Sequence, residues 1–158
     1  MAQNNKTNVM RILDSAKISY TPLFYTPDKE FTDGLEIVNK LSLDASLVYK
    51  TLITRNGHDF FVFVIPVMKE LDLKKAAKAV NQKAVELIHV NELLKISGYV
   101  RGGCSPVGMK KAFPTVIDLS AKELPEFYVS AGKIGAQIKL SPLDLSSVIN
   151  ATFEDITR

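Results

Sequence analysis

Lys50 is flanked by Val48, Tyr49, Thr51 and Leu52, a run that reads as a β-strand. A lysine there can hold a phosphate or a developing oxyanion as a point charge. On an apolar face it would need a partner or a lowered pKa. Strand side chains alternate, so two placements are open: Lys50 inward with Val48 and Leu52, or outward while Tyr49 and Thr51 point in. The second candidate is the stretch 98–111, Gly-Tyr-Val-Arg-Gly-Gly-Cys-Ser-Pro-Val-Gly-Met-Lys-Lys, with four glycines and one proline. Gly102 and Gly103 offer unshielded N–H groups of the kind that hold an anion or a carbonyl oxygen. The same pair can equally turn a corner between strands. Cys104 stands beside those N–H groups, a setting that could lower a thiol pKa. Neither histidine falls at a spacing that identifies it as a partner base. His58 reads as a solvated turn residue, and His89 as a structural residue at a strand–helix junction. The sequence has no defensible Ser-His-Asp order, metal-ligand cluster or Walker loop.

These groups must be positioned by alternating helices and strands. Val9, Ile12, Leu13 and Ala16 repeat at helical spacing behind a cap at Asn5 or Thr7. A strand follows over 18–25, with Pro22 implying an edge or bend. After a loop at 26–30, a short helix carries Leu35, Val38 and Leu41, opened near Asp33-Gly34. The strand that holds Lys50 spans 47–55. Asn56-Gly57 turns it into 60–66, a run apolar on both faces that belongs in the middle of a sheet. Asp72 caps a helix through Leu73, Ala76, Ala77 and Val80. Its lysines, Lys74, Lys75 and Lys78, read either as a solvated face or as a nucleic-acid contact. A strand at 84–88 and a helix at 90–96 lead into the glycine stretch. Strands at 115–119, 127–130 and 136–140 come next, the last two joined by the turn 131–135. Ser141-Pro142-Leu143-Asp144 opens a final helix. The pattern predicts a single α+β domain over residues 1–158 with a mostly antiparallel, hairpin-rich sheet.

Composition narrows the class. With 46% hydrophobic and 23% charged residues, the 158-residue chain has the balance of a soluble globular protein able to bury its own core. One cysteine excludes an internal disulfide and suits a reducing cytosol. The polar N-terminus lacks the apolar core of a signal peptide, and no apolar run is long enough to cross a membrane. A cytoplasmic location is expected. A net charge of +3 permits a nucleic-acid partner without demanding one.

Several stretches together resemble the bacterial prolyl-tRNA editing domains. They are Tyr49-Lys50-Thr51-Leu52, Val64-Ile65-Pro66-Val67, Leu71-Asp72-Leu73-Lys74-Lys75, the glycine stretch, and Tyr128-Val129-Ser130-Ala131-Gly132-Lys133. Their order and spacing are similar to the free-standing YbaK/EbsC-type branch, the Cys-tRNA(Pro) deacylases, over nearly the whole chain. The resemblance implies a curved, partly barrel-like mixed sheet flanked by helices, and an enzyme that clears cysteine from the proline tRNA without cofactor or metal. Mischarged tRNA and prolyl-tRNA synthetase are the partners it implies. It maps the family lysine onto Lys50, the Gly-x-x-x-Pro loop onto Gly102 through Pro106, the pocket serine onto Ser130 and an early aromatic onto Tyr25. Gly103 joins Lys50, Gly102 and Ser130 on the catalytic side. Ser105, Pro106 and Lys133 join Tyr25 on the substrate-binding side. No nucleophile is evident in the chain, and the family's answer is that the substrate's own thiol attacks the ester. Two alternatives stand beside it: a deacylase for another small residue, such as Ala-tRNA(Pro), that activates water, and a non-catalytic module that docks on tRNA or synthetase. Three positions depart from the family pattern. Ile134 replaces an arginine, Gln137 a frequent acid, and Asp33 an aromatic.

Overall fold

The computed structural model describes residues 6–27 and 34–158. Helix α1 (Asn8–Ser15) starts at Thr7, whose hydroxyl accepts from the Met10 N–H at 3.2 Å, and it buries Val9, Met10 and Leu13. Strand β1 (Thr21–Phe24) is followed by α2 (Gly34–Leu41), which buries Ile37. The loop residues expected at 28–30 and the helix opening at Asp33 lie outside the described residues. Strands β2 (Tyr49–Asn56) and β3 (Asp59–Pro66) form the expected hairpin. Its register pairs Asn56 with Asp59, so the two-residue loop is Gly57-His58 rather than Asn56-Gly57. Helix α3 (Leu73–Ala79) is capped by Asp72, which accepts from the N–H groups of Lys74 and Lys75, both at 3.0 Å. Next come β4 (Glu86–Leu87), α4 (Val90–Ser97) and β5 (Thr115–Asp118), then β6 (Phe127–Ser130), β7 (Ala136–Leu140), α5 (Pro142–Ile149) and β8 (Thr152–Glu154).

The strands form two sheets. One has the order β1-β7-β6 and is antiparallel throughout; the other has the order β4-β2-β3-β5-β8. Proline at position 22 is tolerated because β1 is an edge strand. In the larger sheet β3 pairs parallel with β5, and β5 parallel with β8, so four of the six strand pairings are antiparallel. Strand β3 is central and packs both faces. Val64 joins Tyr49, Ile117, Phe127, Ile138 and Leu145 in one core, while Phe61, Phe63 and Ile65 join Leu71, Ala76, Val116 and Ile156 in another. That two-sided burial is what the unbroken apolar run at 60–66 encodes.

The two sheets share a core, and among the described residues a parallel backbone bridge between Val48 and Tyr128 joins them. Beside it the Tyr49 ring packs edge-on against Phe127, with centroids 4.9 Å apart, and the Tyr49 hydroxyl lies 2.7 Å from Ser120 Oγ. Lys50 of β2 and Ser130 of β6 each follow this bridge by two residues in the chain.

Candidate active site

Strand β2 pairs with β4 only at Thr54 and Arg55, and meets Tyr128 only at Val48. Between these points no strand covers that edge among the described residues, and a cavity of about 590 Å³ opens there. Five consecutive residues, Tyr49 through Ile53, line it, because both faces of an uncovered edge are reachable. The two placements left open for Lys50 are therefore not exclusive. Tyr49 is buried in the core, while Lys50 is half-buried on the opposite face, yet both residues reach the cavity.

Lys50 has no ion-pair partner among the described residues. Burial holds its ammonium below the usual lysine range, and the more distant charge of Glu70 offsets part of that shift. Ser130 also lines the cavity. Its Oγ accepts from the Gly132 N–H at 3.1 Å, which leaves the hydroxyl proton free to donate. The glycine loop supplies the facing wall through Arg101, Gly102 and Cys104.

Of the two readings of that loop, the corner is the one the backbone shows. Val100 through Gly103 form a turn closed by the Gly103 N–H donating to the Val100 carbonyl at 3.0 Å. Gly102 takes φ +87° at the third position, the conformation a type II turn requires there. A Cβ on Gly103 would lie 3.0 Å from the main chain at Lys133 and Ile134, so the glycine loop and the 131–135 turn rest directly on each other. The Gly103 N–H is engaged within the turn and is not a free donor. The Gly102 N–H has no partner among the described residues, and Gly102 lines the cavity.

Lys50, Gly102 and Ser130 thus all line the same cavity, Lys50 and Ser130 from the strands and Gly102 from the glycine loop. Gly103 does not line it. Ser105 and Pro106 are buried inside the loop, where Ser105 Oγ accepts from the Val107 N–H at 3.3 Å. Tyr25 donates its N–H to the Gly135 carbonyl at 3.0 Å and does not line the cavity, and its hydroxyl is buried without a partner. Lys133 is exposed and away from the cavity. The Cys104 thiol does line it, but burial pushes its pKa up to about 12 against a hydrogen bond to Ser97 that lowers it. Desolvation dominates, so the thiol stands above its ordinary range rather than below it. His58 is exposed in the hairpin loop, as expected. His89 caps α4, where its N–H donates to Glu92 Oε1 at 3.2 Å, and it also lies on the cavity wall. Among the wall residues that sequence reading does not assign to the site are Thr51 and Gln137. A register count across the β6–β7 hairpin finds the latter, since Gln137 pairs with Ser130.

Residues 32–148 match the family model of the aminoacyl-tRNA editing domain. The chain belongs to that family. Its chemistry is therefore that of an aminoacyl-tRNA deacylase, acting on the ester between an amino acid and the tRNA 3′ end. A relative in Enterococcus faecalis, assigned as the Cys-tRNA(Pro)/Cys-tRNA(Cys) deacylase EbsC, is 40% identical over 153 residues, which cover 96% of this chain and 93% of that one. A proline–tRNA ligase of Caldicellulosiruptor saccharolyticus is 28% identical over 115 residues, 73% of this chain but 19% of the ligase, so the likeness is to one segment of that enzyme. Among solved structures, a protein described as hypothetical superposes with TM-score 0.87 at 23% identity, covering 96% of this chain and 100% of that one. A protein assigned as a trans-editing enzyme for prolyl-tRNA synthetase superposes with TM-score 0.79 at 20% identity, covering 96% and 98%. At these identities the superpositions establish the shared α+β fold. No helix among the described residues is long and apolar enough to cross a membrane.

Proposed function

We propose that this editing domain hydrolyses Cys-tRNA(Pro) in trans, with the substrate's own thiol as the attacking group. One observation carries the reading. The cavity wall holds donors for an ester, while the chain's single thiol is held far from its reactive form. Lys50, the Ser130 hydroxyl and the Gly102 N–H are donors that suit a carbonyl oxygen gaining negative charge, or the phosphate of the terminal nucleotide. The substrate sulfur bonds to the ester carbonyl carbon, the bond from that carbon to the ribose oxygen breaks, and the thiol proton ends on the departing hydroxyl. A thioester ring leaves the tRNA, and water opens it. Such a reaction needs positioning above all, because the nucleophile is already attached to its target. The relative assigned as a Cys-tRNA deacylase supports cysteine as the amino acid. The likeness to a segment of proline–tRNA ligase supports the proline tRNA as carrier and prolyl-tRNA synthetase as partner. We read residues 1–158 as one such editing unit.

A second reading has its own observation. His89 lies on the cavity wall and the Lys50 pKa is lowered, so either could steer a water onto the carbonyl of alanine or another small residue. Deacylation of Cys-, Ser- and Ala-tRNA by the purified protein, with Cys-tRNA also tested after thiol alkylation, separates the two. Fast cleavage of Cys-tRNA alone, abolished by alkylation, is the expected result. Comparable cleavage of Ser-tRNA or of alkylated Cys-tRNA assigns the attack to water, and no turnover on any substrate leaves a binding module.

A further inference from the structure

We propose that Gln137 and Thr51 form an uncharged subsite for the α-amino group of the aminoacyl substrate, so that the cavity reads the amine as well as the ester. The inference rests on the editing function proposed above. Gln137 is 2% exposed in the second position of β7, and its Oε1 is buried with no hydrogen-bond partner among the described residues. Thr51 Oγ1 is in the same state, and both residues line the cavity. A buried amide oxygen without a partner is destabilising, and at this position an apolar side chain would avoid the penalty. Two such atoms on one wall are complementary to a ligand that brings donors.

The kind of donor follows from the rest of the wall. Lys50, the Ser130 hydroxyl and the Gly102 N–H all donate, so they serve the carbonyl and phosphate oxygens. Gln137 Oε1 only accepts and can do nothing for those oxygens. On the acyl group of a small amino acid the α-amine is the strong donor, and it lies two bonds from the carbonyl carbon. The subsite has the matching placement, since Gln137 is the register partner of Ser130 and Thr51 lines the same cavity as Lys50. An amide suits this place because it accepts a hydrogen bond without adding a charge next to the Lys50 ammonium.

The test uses two non-hydrolysable conjugates of 3′-amino-3′-deoxyadenosine, one acylated with cysteine and one with 3-mercaptopropionic acid, which lacks only the amine. The 2′-hydroxyl and thiol are common to both and cancel. Calorimetry on the wild-type protein should give about 10-fold tighter binding of the cysteinyl conjugate, a ratio worth ~1.4 kcal/mol. Gln137→Leu should bring that ratio to about one while the mercaptopropionyl conjugate keeps its affinity, which also reports an intact cavity. Thr51→Val should reduce the ratio by roughly threefold. A wild-type ratio near one, a ratio unchanged in Gln137→Leu, or binding of neither conjugate overturns the subsite. If Gln137→Leu loses both conjugates, the ratio in Thr51→Val decides, and an unchanged value there overturns the proposal. Wild-type turnover of Cys-tRNA is measured alongside. Its absence with the binding ratio intact refutes the proposed function and leaves the subsite standing.

Discussion

The glycine loop and the strand wall that faces it use their polar groups in opposite ways. In and beside the loop the hydroxyl groups are engaged internally. Ser97 Oγ donates to the Leu93 carbonyl at 2.6 Å and accepts from the Tyr99 N–H at 3.0 Å, and the Tyr99 hydroxyl donates to the Val107 carbonyl. The Gly103 N–H and Ser105 Oγ are likewise engaged, while the Gly102 N–H has no partner among the described residues and Gly102 lines the cavity. On the strands the reverse holds. Lys50 is unpaired among the described residues, the Ser130 proton is free, and Thr51 Oγ1 and Gln137 Oε1 have no partner. The loop that looks most like a functional motif is chiefly a scaffold, and the unengaged chemistry sits on regular β-structure. Rigid strands hold a reacting geometry more accurately than loops do, which is why free groups are safest there.

The contrast breaks most directly at Lys50. Lys50→Met should lower turnover by about 10²–10³-fold, the loss typical of removing one charge-stabilising donor. It should not lower thermal stability. The folded-state pKa is depressed, so the unfolded chain holds this proton more tightly. The charged lysine therefore destabilises the native state below its folded pKa, and that penalty fades as pH rises from the folded to the unfolded pKa. The same shift predicts that wild-type turnover declines on the alkaline side at a lower pH than an unperturbed lysine would give. Normal turnover by Lys50→Met would remove the strand wall from the chemistry altogether.

Gly103→Ala probes the scaffold side of the contrast. Its Cβ would press on the main chain at Lys133 and Ile134, which cannot swing aside as a side chain can. A stability loss of about 1–3 kcal/mol in urea unfolding is expected, with turnover per folded molecule reduced by roughly 10-fold or less. A loss of turnover as deep as that of Lys50→Met, at unchanged stability, would make Gly103 a direct participant. The smallest effect belongs to Cys104→Ser, expected to change turnover by less than about threefold, because burial keeps this thiol protonated. A drop beyond about 10²-fold would place a protein nucleophile in the reaction.

Much of the fold was legible because its signals are local. The Asp72 and Ser141 caps, the proline at the first turn of α5, and the strands at 127–130 and 136–140 all fall where propensity and turn residues place them. Strand β8 carries no comparable signal. It is three residues long and exists because β5 offers it a parallel edge, a long-range pairing that nothing in Thr152-Phe153-Glu154 announces. The division into two sheets was hidden for the same reason. At the site, Lys50 and Ser130 were legible through residue type and family resemblance. Gln137 looked like a mere departure from an acidic position until its burial and its pairing with Ser130 put it on the wall. The fate of the Gly103 N–H could not be read either, since type II turns and anion pockets draw on the same residues.

The bridge between Val48 and Tyr128 has a mechanical consequence. Lys50 belongs to one sheet and Ser130 to the other, and each lies two residues beyond the bridge. The candidate site therefore straddles the seam between the sheets, where Tyr49 packs on Phe127 above the core that Val64 and Ile117 share with Val129 and Ile138. A shift of one sheet against the other would move Lys50 relative to Ser130 while leaving the hydrogen-bonded ladders within each sheet intact.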